Sequence, residues 1–519
     1  MEYTKIINEI KNKYTTDIVD ISHYFNKGKD WLVKELQKYK KETFENDYRL
    51  VLTYSRDKKE YIDIPPLLCV DLYKTIYDLD ISEFFIILIT EQDLTNELKI
   101  AKQLLQDDKQ NFYTIDTDID FKYYVSSNIN SAVLPTDVSN ENTSCLKLWN
   151  HLHINTNGDV LPCCVSDQNR PFGNITEESI DKILNSDKRM FFQKAMLDNK
   201  KLSACRKCYE DEKNNIKSHR TPVDNVNVND ISITTFDIRL SNLCNLKCRM
   251  CTGVYSSKIA KEEQTLYGVE YKTINTDNIV DINSIFGLLK NARSIYFAGG
   301  EPLLMQSHYM ILNELISLDK LDTKLVYNTN LTILRYKNIN VIDYWQKFTN
   351  VEVRASIDAC NEHLEYIREG SIWNDVVENY NKIKITNCEF KITSNINIYN
   401  AFNLIDNQKI WIKKSVPLSN FQITFLTNPE YLSVQVLPND YKIKLVNKIR
   451  KHINELEKQF NSANLVRQWE DVIDYLNAAD KSHLLQKFFD ETKRLDNIRG
   501  TSFDDVFTEY KDLKTYLHY

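Results

Sequence analysis

The sequence lacks three features that would have placed it in familiar classes. It has no long basic run, and 73 acidic residues outnumber 66 basic ones for a net charge of −7, so nucleic acid is not an expected partner. Its longest apolar run, residues 84–89, is far shorter than the roughly 20 residues that span a bilayer. The N-terminal run MEYTKIINEIKNKYTTD lacks the pattern of a secretory signal. These absences predict a cytoplasmic protein without a membrane segment.

Cysteines are plentiful by comparison. Eight of the eleven fall between Cys145 and Cys251. Cytosolic thiols are kept reduced, so this grouping favours metal binding over disulfides.

Strand and helix signals predict an α/β fold class with four regions. They are an α/β domain without a chemical motif at residues 1–140, a small Cys-rich domain at 141–225, an alternating strand and helix region at 232–432, and a helical C-terminal region at 433–519. In the first region, strands are expected at Arg49–Tyr54 and Phe84–Ile89, with helical patterns at residues 6–13 and 94–105. In the third region, six strands joined by helices predict a parallel sheet, open or curled into part of a barrel, with its chemistry at the carboxyl ends of the strands.

The run LSNLCNLKCRMC contains the most informative cysteines. Cys244, Cys248 and Cys251 have the spacing Cys-x3-Cys-x2-Cys. A four-iron cube has four corners, so three thiolates from one loop leave one iron without a protein ligand. Zinc is the main alternative for the triad alone, because Cys-x2-Cys pairs also form halves of tetrahedral zinc sites.

The triad and the sequence around it resemble those of the radical SAM superfamily. A strand precedes the triad, a helix follows it, and Gly299-Gly300-Glu301-Pro302 ends the next strand. The resemblance implies a six-stranded partial (β/α)6 barrel and a [4Fe-4S] cluster whose open iron is chelated by S-adenosyl-L-methionine. It also implies reductive cleavage of that molecule to a 5'-deoxyadenosyl radical. Met250 stands where the superfamily often has an aromatic residue.

The resemblance also implies a set of cofactor-binding residues. They are Gly299, Gly300, Glu301 and Pro302 for the methionine amino group, Ser356 and Asp358 for the ribose and carboxylate, Asn330 and Asn397 at the ends of the third and fifth strands, and Arg368 for the methionine carboxylate. For Asn330, Ser356, Asp358, Arg368 and Asn397, a helix cap or a solvated charge is the alternative interpretation.

A second cysteine set precedes the first. Cys145, Cys163, Cys205 and Cys208 resemble the ligands of the Twitch domain, a shortened form of the SPASM domain, which implies one fully ligated auxiliary [4Fe-4S] cluster. The alternative is a zinc ion, or a cluster whose only role is to stabilise the fold of this segment. Cys164 is either a substitute for Cys163 or a small buried residue, and we favour the latter. These domains commonly follow the barrel, whereas here the set precedes it.

The remaining cysteines and the histidines carry no clear chemistry. Cys69, Cys360 and Cys388 are isolated and are expected to be buried hydrophobes. His151 and His153 alternate along a predicted strand, which places both rings on one face. For these two histidines, packing in the core or on the surface is the simpler interpretation.

Taken together, these residues predict a radical SAM oxidoreductase or maturase. We expect it to abstract hydrogen from a substrate while the auxiliary cluster takes up an electron, which would give oxidation or cross-linking, with a peptide or protein as one substrate class. A small-molecule radical SAM dehydrogenase is one alternative, and a non-catalytic zinc or iron-sulfur electron carrier is another. A reductant such as flavodoxin or ferredoxin is the expected partner.

Overall fold

The computed structural model describes residues 143–213, 218–221, 231–272, 274, 279–460 and 463–517, together with residue 34 and the backbones of four earlier strands. The chain divides into two compact units. One combines Met1–Thr143 with Ala195–Ser218, and the other combines Ser144–Lys194 with His219–Tyr519. The domain boundaries expected from the sequence stay a prediction.

The first unit contains a four-stranded parallel sheet. Its strands are β1 (Thr15–Asp20), β2 (Tyr48–Tyr54), β3 (Phe85–Thr90) and β4 (Lys122–Val125), and they lie side by side in chain order. The two strands expected here from the sequence are therefore confirmed. The helical patterns expected at residues 6–13 and 94–105 lie outside the described residues.

The second unit contains the remaining strands, most of which form a larger sheet. Its strands are β5 (His151–Ile154), β6 (Asp159–Leu161), β7 (Gly173–Asn174), β8 (Thr235–Ile238), β9 (Lys247–Cys248), β10 (Ser294–Phe297), β11 (Lys324–Thr329), β12 (Arg335–Tyr336), β13 (Ile339–Asn340), β14 (Val351–Ser356), β15 (Arg368–Glu369), β16 (Glu389–Ile396) and β17 (Phe421–Phe425). Nine of them form one sheet in the order β17-β16-β14-β11-β10-β8-β5-β6-β7.

The neighbours from β5 to β17 in this order pair in parallel. The six strands expected between residues 232 and 432 are thus confirmed as members of a parallel sheet. β5 adds a parallel strand from the Cys-rich segment, and β6 and β7 extend the sheet in antiparallel fashion. The fold is mixed α/β, as the sequence predicted.

The two faces of this sheet differ in polarity. Ile238, Phe297 and Tyr327 occupy neighbouring register positions on one face, and all three are buried. One residue earlier on the same strands, Asp237 pairs with Tyr296 on the opposite face. Because successive side chains on a strand point to opposite faces, the core lies under the first face and the second face carries polar groups.

The helices connect the strands and continue to the C-terminus. They are α1 (Lys147–Asn150), α2 (Ile180–Leu184), α3 (Asp187–Leu197), α4 (Arg206–Lys213), α5 (Ser257–Tyr267), α6 (Ile282–Leu288), α7 (Gln306–Ser317), α8 (Val341–Trp345), α9 (Asn361–Ile367), α10 (Trp373–Lys384), α11 (Leu404–Lys413), α12 (Asn439–Phe460), α13 (Ala463–Ala478), α14 (Leu485–Arg499) and α15 (Phe503–Val506). Among the described residues, none of the helices has both the length and the apolar content needed to cross a bilayer.

Local sequence explains the boundaries of the elements next to the site. The Ser256 hydroxyl accepts a hydrogen bond from the Ile259 amide and caps α5, and Gly268 ends the helix at a φ of 68°. In the C-terminal region, α12 buries Tyr441, Leu445 and Ile449 at four-residue spacing, as expected for an amphipathic helix.

Candidate functional site

The first cysteine set lies on the loop that follows β8, at the carboxyl end of the parallel sheet. β8 ends at Ile238, Cys248 closes the short strand β9, and α5 begins at Ser257. Cys248 is buried, and Cys244 and Cys251 are partly buried. The fold therefore presents three thiols at the sheet edge where strand-end chemistry was expected.

A second segment holds this loop in place. β9 pairs antiparallel with β15, which sets Arg368 opposite Cys248, and the Arg249 amide donates to the Ile367 carbonyl at 2.9 Å. The Arg368 guanidinium donates to Sγ of Cys248 at 3.7 Å, and its Nε lies 2.7 Å from Oδ2 of Asp358. Burial opposes the charged form of Arg368, but Asp358 and Cys248 outweigh it and raise the pKa above its usual value.

The thiols lie close enough to influence one another. Burial, with a smaller contribution from the nearby Cys248, raises the pKa of Cys244 to about 11 and that of Cys251 to about 12. Two N–H groups point at Sγ of Cys244, the Leu246 amide at 3.5 Å and the Asn330 side chain at 4.0 Å. N–H donors around neighbouring sulfurs suit thiolates that bind a cluster, so the residues present fit the expected group.

The Gly-Gly-Glu-Pro turn lies against this loop. The Gly300 amide donates to the Ser241 carbonyl at 3.1 Å, and the Glu301 amide donates to the Leu243 carbonyl at 2.7 Å. Gly299 has a φ of 113°, and a β carbon there would lie 2.7 Å from the Ser241 oxygen. Both glycines are needed because the backbone of the turn contacts the backbone of the cysteine loop.

Glu301 is held entirely by groups of the chain itself. Its side chain is fully buried, and its carboxylate accepts hydrogen bonds from the Leu303 amide at 3.2 Å, the Thr329 hydroxyl at 2.8 Å and the Asn330 amide at 2.8 Å. Burial raises the pKa of Glu301 to about 7, although these donors favour the ionised form. The carboxylate thereby joins the end of β10 to the end of β11.

Asp358 connects the ends of two further strands. It is fully buried beyond the end of β14, and its Oδ1 accepts the Asn395 amide at 2.7 Å while its Oδ2 pairs with Arg368. Ser356, the last residue of β14, donates to the Asn328 side chain at 3.4 Å. The expected ribose and carboxylate residues thus lie on the same edge of the sheet as the thiols.

The two predicted asparagines differ in their contacts. The Asn330 side chain donates to Oδ1 of Asn245 at 2.9 Å, and Asn245 lies within the cysteine loop. Asn397 is fully buried, and its side chain donates to the Asn395 carbonyl and accepts from the Tyr399 amide. Asn330 therefore contacts the cysteine loop, whereas the described contacts of Asn397 stabilise its own turn.

The second cysteine set is divided between the two units. Cys145 and Cys163 belong to the unit with the large sheet, where the Thr221 amide points to Sγ of Cys145 at 3.5 Å. Cys205 and Cys208 belong to the other unit, in the one-turn helix Ser203–Cys205 and in α4. The expected four-cysteine ligand set stays a prediction.

Cys163 and Cys164 face different groups. Burial raises the pKa of both thiols, that of Cys163 to about 12. Cys145 also influences Cys163, whereas Asp237 and Arg239 influence Cys164. Cys163 therefore lies towards another expected ligand, and Cys164 lies towards the polar face of the sheet.

Sequence reasoning missed a polar row on that face. Arg239 donates two hydrogen bonds to the Asp237 carboxylate, at 2.9 and 3.0 Å, and His153 Nδ1 lies 3.2 Å from Asp237 Oδ2. Burial works against the Asp237 anion, but His153 and Arg239 hold its pKa well below the usual range. Across the sheet, Arg354 pairs with Glu352 at 2.5 Å. Polar and charged residues at every second position, as in VEVRASID, were the available signal.

The isolated cysteines lie away from the triad's contacts. Cys360 is buried ahead of α9, and Cys388 is partly buried ahead of β16. Cys69 lies outside the described residues. Across the described ranges, no group of three or more His, Cys, Asp or Glu side chains is arranged to hold a single metal ion.

Comparisons with known proteins match two segments of the chain. A family described as an iron-sulfur cluster-binding domain, SPASM, matches residues 145–209, and the radical SAM superfamily matches residues 238–409. No curated protein sequence matches this chain.

Solved structures give distant similarities. Native anSMEcpe with bound AdoMet is 20% identical, with 44% of this chain and 61% of that chain covered and a TM-score of 0.33. SuiB of Streptococcus suis bound to its precursor peptide SuiA is 14% identical, with 52% and 60% covered and a TM-score of 0.30. The chain thus spans about three fifths of the length of these relatives. At these values the similarities carry no argument about substrate.

The family matches agree with the site. A radical SAM domain implies a [4Fe-4S] cluster and S-adenosylmethionine, and an SPASM domain implies auxiliary iron-sulfur clusters. The triad loop and the Gly-Gly-Glu-Pro turn both fall within the radical SAM segment, and the auxiliary cysteines fall within the SPASM segment. This chain therefore carries a radical SAM superfamily domain at residues 238–409, preceded by an SPASM-type iron-sulfur cluster-binding domain at residues 145–209.

Proposed function

We propose that this protein is a radical SAM oxidoreductase or maturase that modifies a peptide or protein. When bound and given one electron by a reductant, the first cluster and S-adenosylmethionine would supply a 5'-deoxyadenosyl radical for hydrogen abstraction, and an auxiliary cluster would accept the electron that the substrate radical gives up as it loses a proton or forms a cross-link. The chain's own residues hold these groups, orient the substrate and exclude water.

One observation carries this proposal. The thiols of Cys244, Cys248 and Cys251 share one loop at the carboxyl edge of a parallel sheet, with the Arg368 guanidinium 3.7 Å from Sγ of Cys248. A cation beside a cluster sulfur favours the reduced cluster, because it offsets the added negative charge. Such an environment suits a cluster that accepts an electron.

The residues around the triad are proposed to hold S-adenosylmethionine. The turn from Gly299 to Pro302 would receive the methionine amino group through its backbone, since the Glu301 carboxylate already accepts three hydrogen bonds from the chain. Ser356 and Asp358 would contact the ribose and the carboxylate. Arg368, Asn330 and Asn397 complete the proposed set.

The polar face of the sheet supports a polar substrate. The pKa of Tyr296 is raised to about 12, first by burial and then by Asp237, while Arg239 and Arg354 lower it, so the phenol lies among charges of both signs. Such a face offers partners for the carboxylates and amides of a peptide. We propose that the six strands β8 to β17 of the large sheet curl as a partial barrel around this face.

The remaining cofactor ligands and partners belong to the same proposal. Cys145, Cys163, Cys205 and Cys208 would ligate the auxiliary cluster, with Cys163 preferred because Cys145 lies near it and Cys164 faces Asp237. The electron donor would be a small reductant such as flavodoxin or ferredoxin. A cytosolic location suits both clusters, since oxidising compartments would pair their thiols.

Anaerobic reconstitution tests the proposal. With dithionite and S-adenosylmethionine, the protein is expected to release 5'-deoxyadenosine and to contain about eight iron atoms per chain. About four iron atoms with bound zinc would indicate a zinc site at the auxiliary cysteines. No 5'-deoxyadenosine from a fully loaded protein would contradict the proposal and favour an electron carrier. To distinguish a peptide substrate from a small alcohol, each candidate is added in turn, and the substrate is the one that is modified as 5'-deoxyadenosine forms.

A further inference from the structure

Two arginines join the cysteine loop to the C-terminal helices, although α14 and α15 lie beyond the segment that matches the radical SAM family. Arg249 extends from the loop into the C-terminal region. Arg499 extends from the end of α14 back to the loop. The two arginines act on the residues next to Cys248, because Arg249 follows it in the chain and Arg499 binds Lys247, which precedes it.

Arg249 is completely buried in this arrangement. Its Nη2 donates to the Asp496 carboxylate at 2.6 Å and to the Thr501 hydroxyl at 2.7 Å. Its Nε donates to the Tyr366 carbonyl at 3.1 Å, and its guanidinium carbon lies 3.6 Å from the centre of the Tyr366 ring. Asp496 also accepts the Tyr366 hydroxyl and the Phe503 amide, so this carboxylate is fixed from several sides.

Arg499 makes the reciprocal contacts. Its side chain is 2% exposed, and its Nη1 donates to the Lys247 carbonyl at 2.8 Å. Its Nη2 and Nε bind the Glu262 carboxylate at 2.7 and 3.2 Å, and Nε also lies 3.1 Å from Glu369. One guanidinium thereby connects β9, which contains Cys248, with α5 and β15.

Burying two arginines is costly for a fold that needs only stability. A buried ion pair often stabilises no better than apolar residues of similar volume, but its directional hydrogen bonds fix one arrangement. Here the fixed atoms are the backbone groups on either side of a cluster ligand. A planar guanidinium can donate to the Lys247 carbonyl and to both oxygens of Glu262 at once, whereas a lysine ammonium cannot match that fork.

We propose that Arg249 and Arg499 are positioning residues that hold the cysteine loop in its cluster-binding geometry, so that the C-terminal helices form part of the radical SAM site. The inference rests on the proposed function in that it takes the triad as the site of a cluster. Cluster content and spectroscopy test it independently, because they depend on the loop and not on the substrate.

The experiment compares two identical substitutions on the same helix. Arg499→Lys keeps the charge and loses the fork, and Arg494→Lys alters an arginine of α14 that pairs with Glu491 of the same helix. Each full-length variant is reconstituted anaerobically, and iron content, the electron paramagnetic resonance spectrum of the reduced protein and its change on adding S-adenosylmethionine are measured. Circular dichroism and retention of the auxiliary cluster report on folding.

Arg499→Lys is expected to lower occupancy of the triad cluster, or its spectral response to S-adenosylmethionine, by about tenfold while the auxiliary cluster stays loaded. Arg494→Lys should behave as wild type. Glu262→Gln, which weakens the same fork from α5 without changing the C-terminal helices, should show a smaller loss of the same kind.

Wild-type occupancy and spectral response in Arg499→Lys and Glu262→Gln would overturn the inference. Equal loss of both clusters in Arg499→Lys, with Glu262→Gln normal, would also overturn it, since that pattern reports only a folding role. If the wild-type protein holds its cluster but releases no 5'-deoxyadenosine, the proposed function fails while the occupancy comparison still decides the inference.

Discussion

Gly300 and Leu243 approach each other so closely that a β carbon on Gly300 would lie 2.2 Å from the Leu243 carbonyl oxygen. The obstacle is backbone of the cysteine loop itself, held by the hydrogen bond from the Glu301 amide to the same oxygen. The Gly-Gly-Glu-Pro turn and the cysteine loop are therefore one structural unit, and neither can move without the other.

Gly300→Ala is expected to displace the cysteine loop, because a contact of this length cannot be relieved by a side-chain rotation. We expect a loss of about half the iron and of 5'-deoxyadenosine formation, measured by iron analysis and chromatography. Gly287→Ala is the matched control, since a β carbon there meets nothing within 4 Å and alanine favours its helix, α6. An active Gly300→Ala protein with full iron content would contradict the close approach.

Glu301→Gln should be more harmful than its small change in shape suggests. Both carboxylate oxygens accept N–H or O–H donors, so one of them would become an amide that faces a donor. We expect a loss of about 1 to 3 kcal/mol in the free energy of unfolding, seen in urea titrations, together with slower S-adenosylmethionine cleavage. Glu378→Gln, at an exposed position of α10, provides the control. Equal stability of the two variants would argue against the contacts assigned to Glu301.

Arg368→Gln should make the triad cluster harder to reduce. Removing a cation 3.7 Å from Sγ of Cys248 disfavours the added electron, so the reduction potential should become more negative. Spectroelectrochemistry of the reconstituted protein measures this shift. Arg368→Gln leaves Asp358 buried without its cation, so the double variant with Asp358→Asn separates loss of folding from loss of the charge. An unchanged potential in an Arg368→Gln protein that folds would refute this role.

Glu352 should give a pH-dependent contribution to stability. Burial alone would raise its pKa, but hydrogen bonds from Lys324 and Arg354, supported by Lys391, lower it to about 2. A depressed acid pKa stabilises the fold above the unfolded value of about 4.3, and that contribution disappears as the pH falls towards 2. Glu352→Gln should therefore cost about 3 kcal/mol at pH 7 and progressively less below pH 4, by thermal unfolding. A penalty that does not change with pH would contradict the assignment.

The triad itself is tested by removing its ligands. Replacing Cys244, Cys248 and Cys251 with alanine should leave about four iron atoms per chain, those of the auxiliary cluster, and abolish S-adenosylmethionine cleavage. Cys360→Ala removes a buried cysteine ahead of α9 and should keep the full iron content. Equal iron in the triple variant and the wild-type protein would place the metal elsewhere.

Much of the site could be predicted because its ligands are local in sequence. The spacing of the triad fits within one loop, and the strands on either side of it have the short apolar runs that mark buried parallel strands. The carboxyl end of each strand can be located from the sequence pattern of that strand alone. This pattern therefore assigns Glu301, Asn330 and Asp358 to the edge of the sheet. Their hydrogen-bond partners could not be predicted in this way, because those partners come from neighbouring strands.

The sequence by itself determined the kind of chemistry, through residue types and short spacings that specify thiolate ligands and strand-end turns. Only the tertiary structure decided that β5 of the Cys-rich segment extends the large parallel sheet, that Arg368 contacts Cys248, and that Arg499 binds the Lys247 carbonyl from more than 250 residues away. Contacts of this kind depend on strand register and helix packing. Distant residues meet when apolar faces are buried, and because the hydrophobic effect is not directional, the sequence of one face does not identify the face that packs against it. The local pattern thus specifies the ligands, and the packing specifies what holds them.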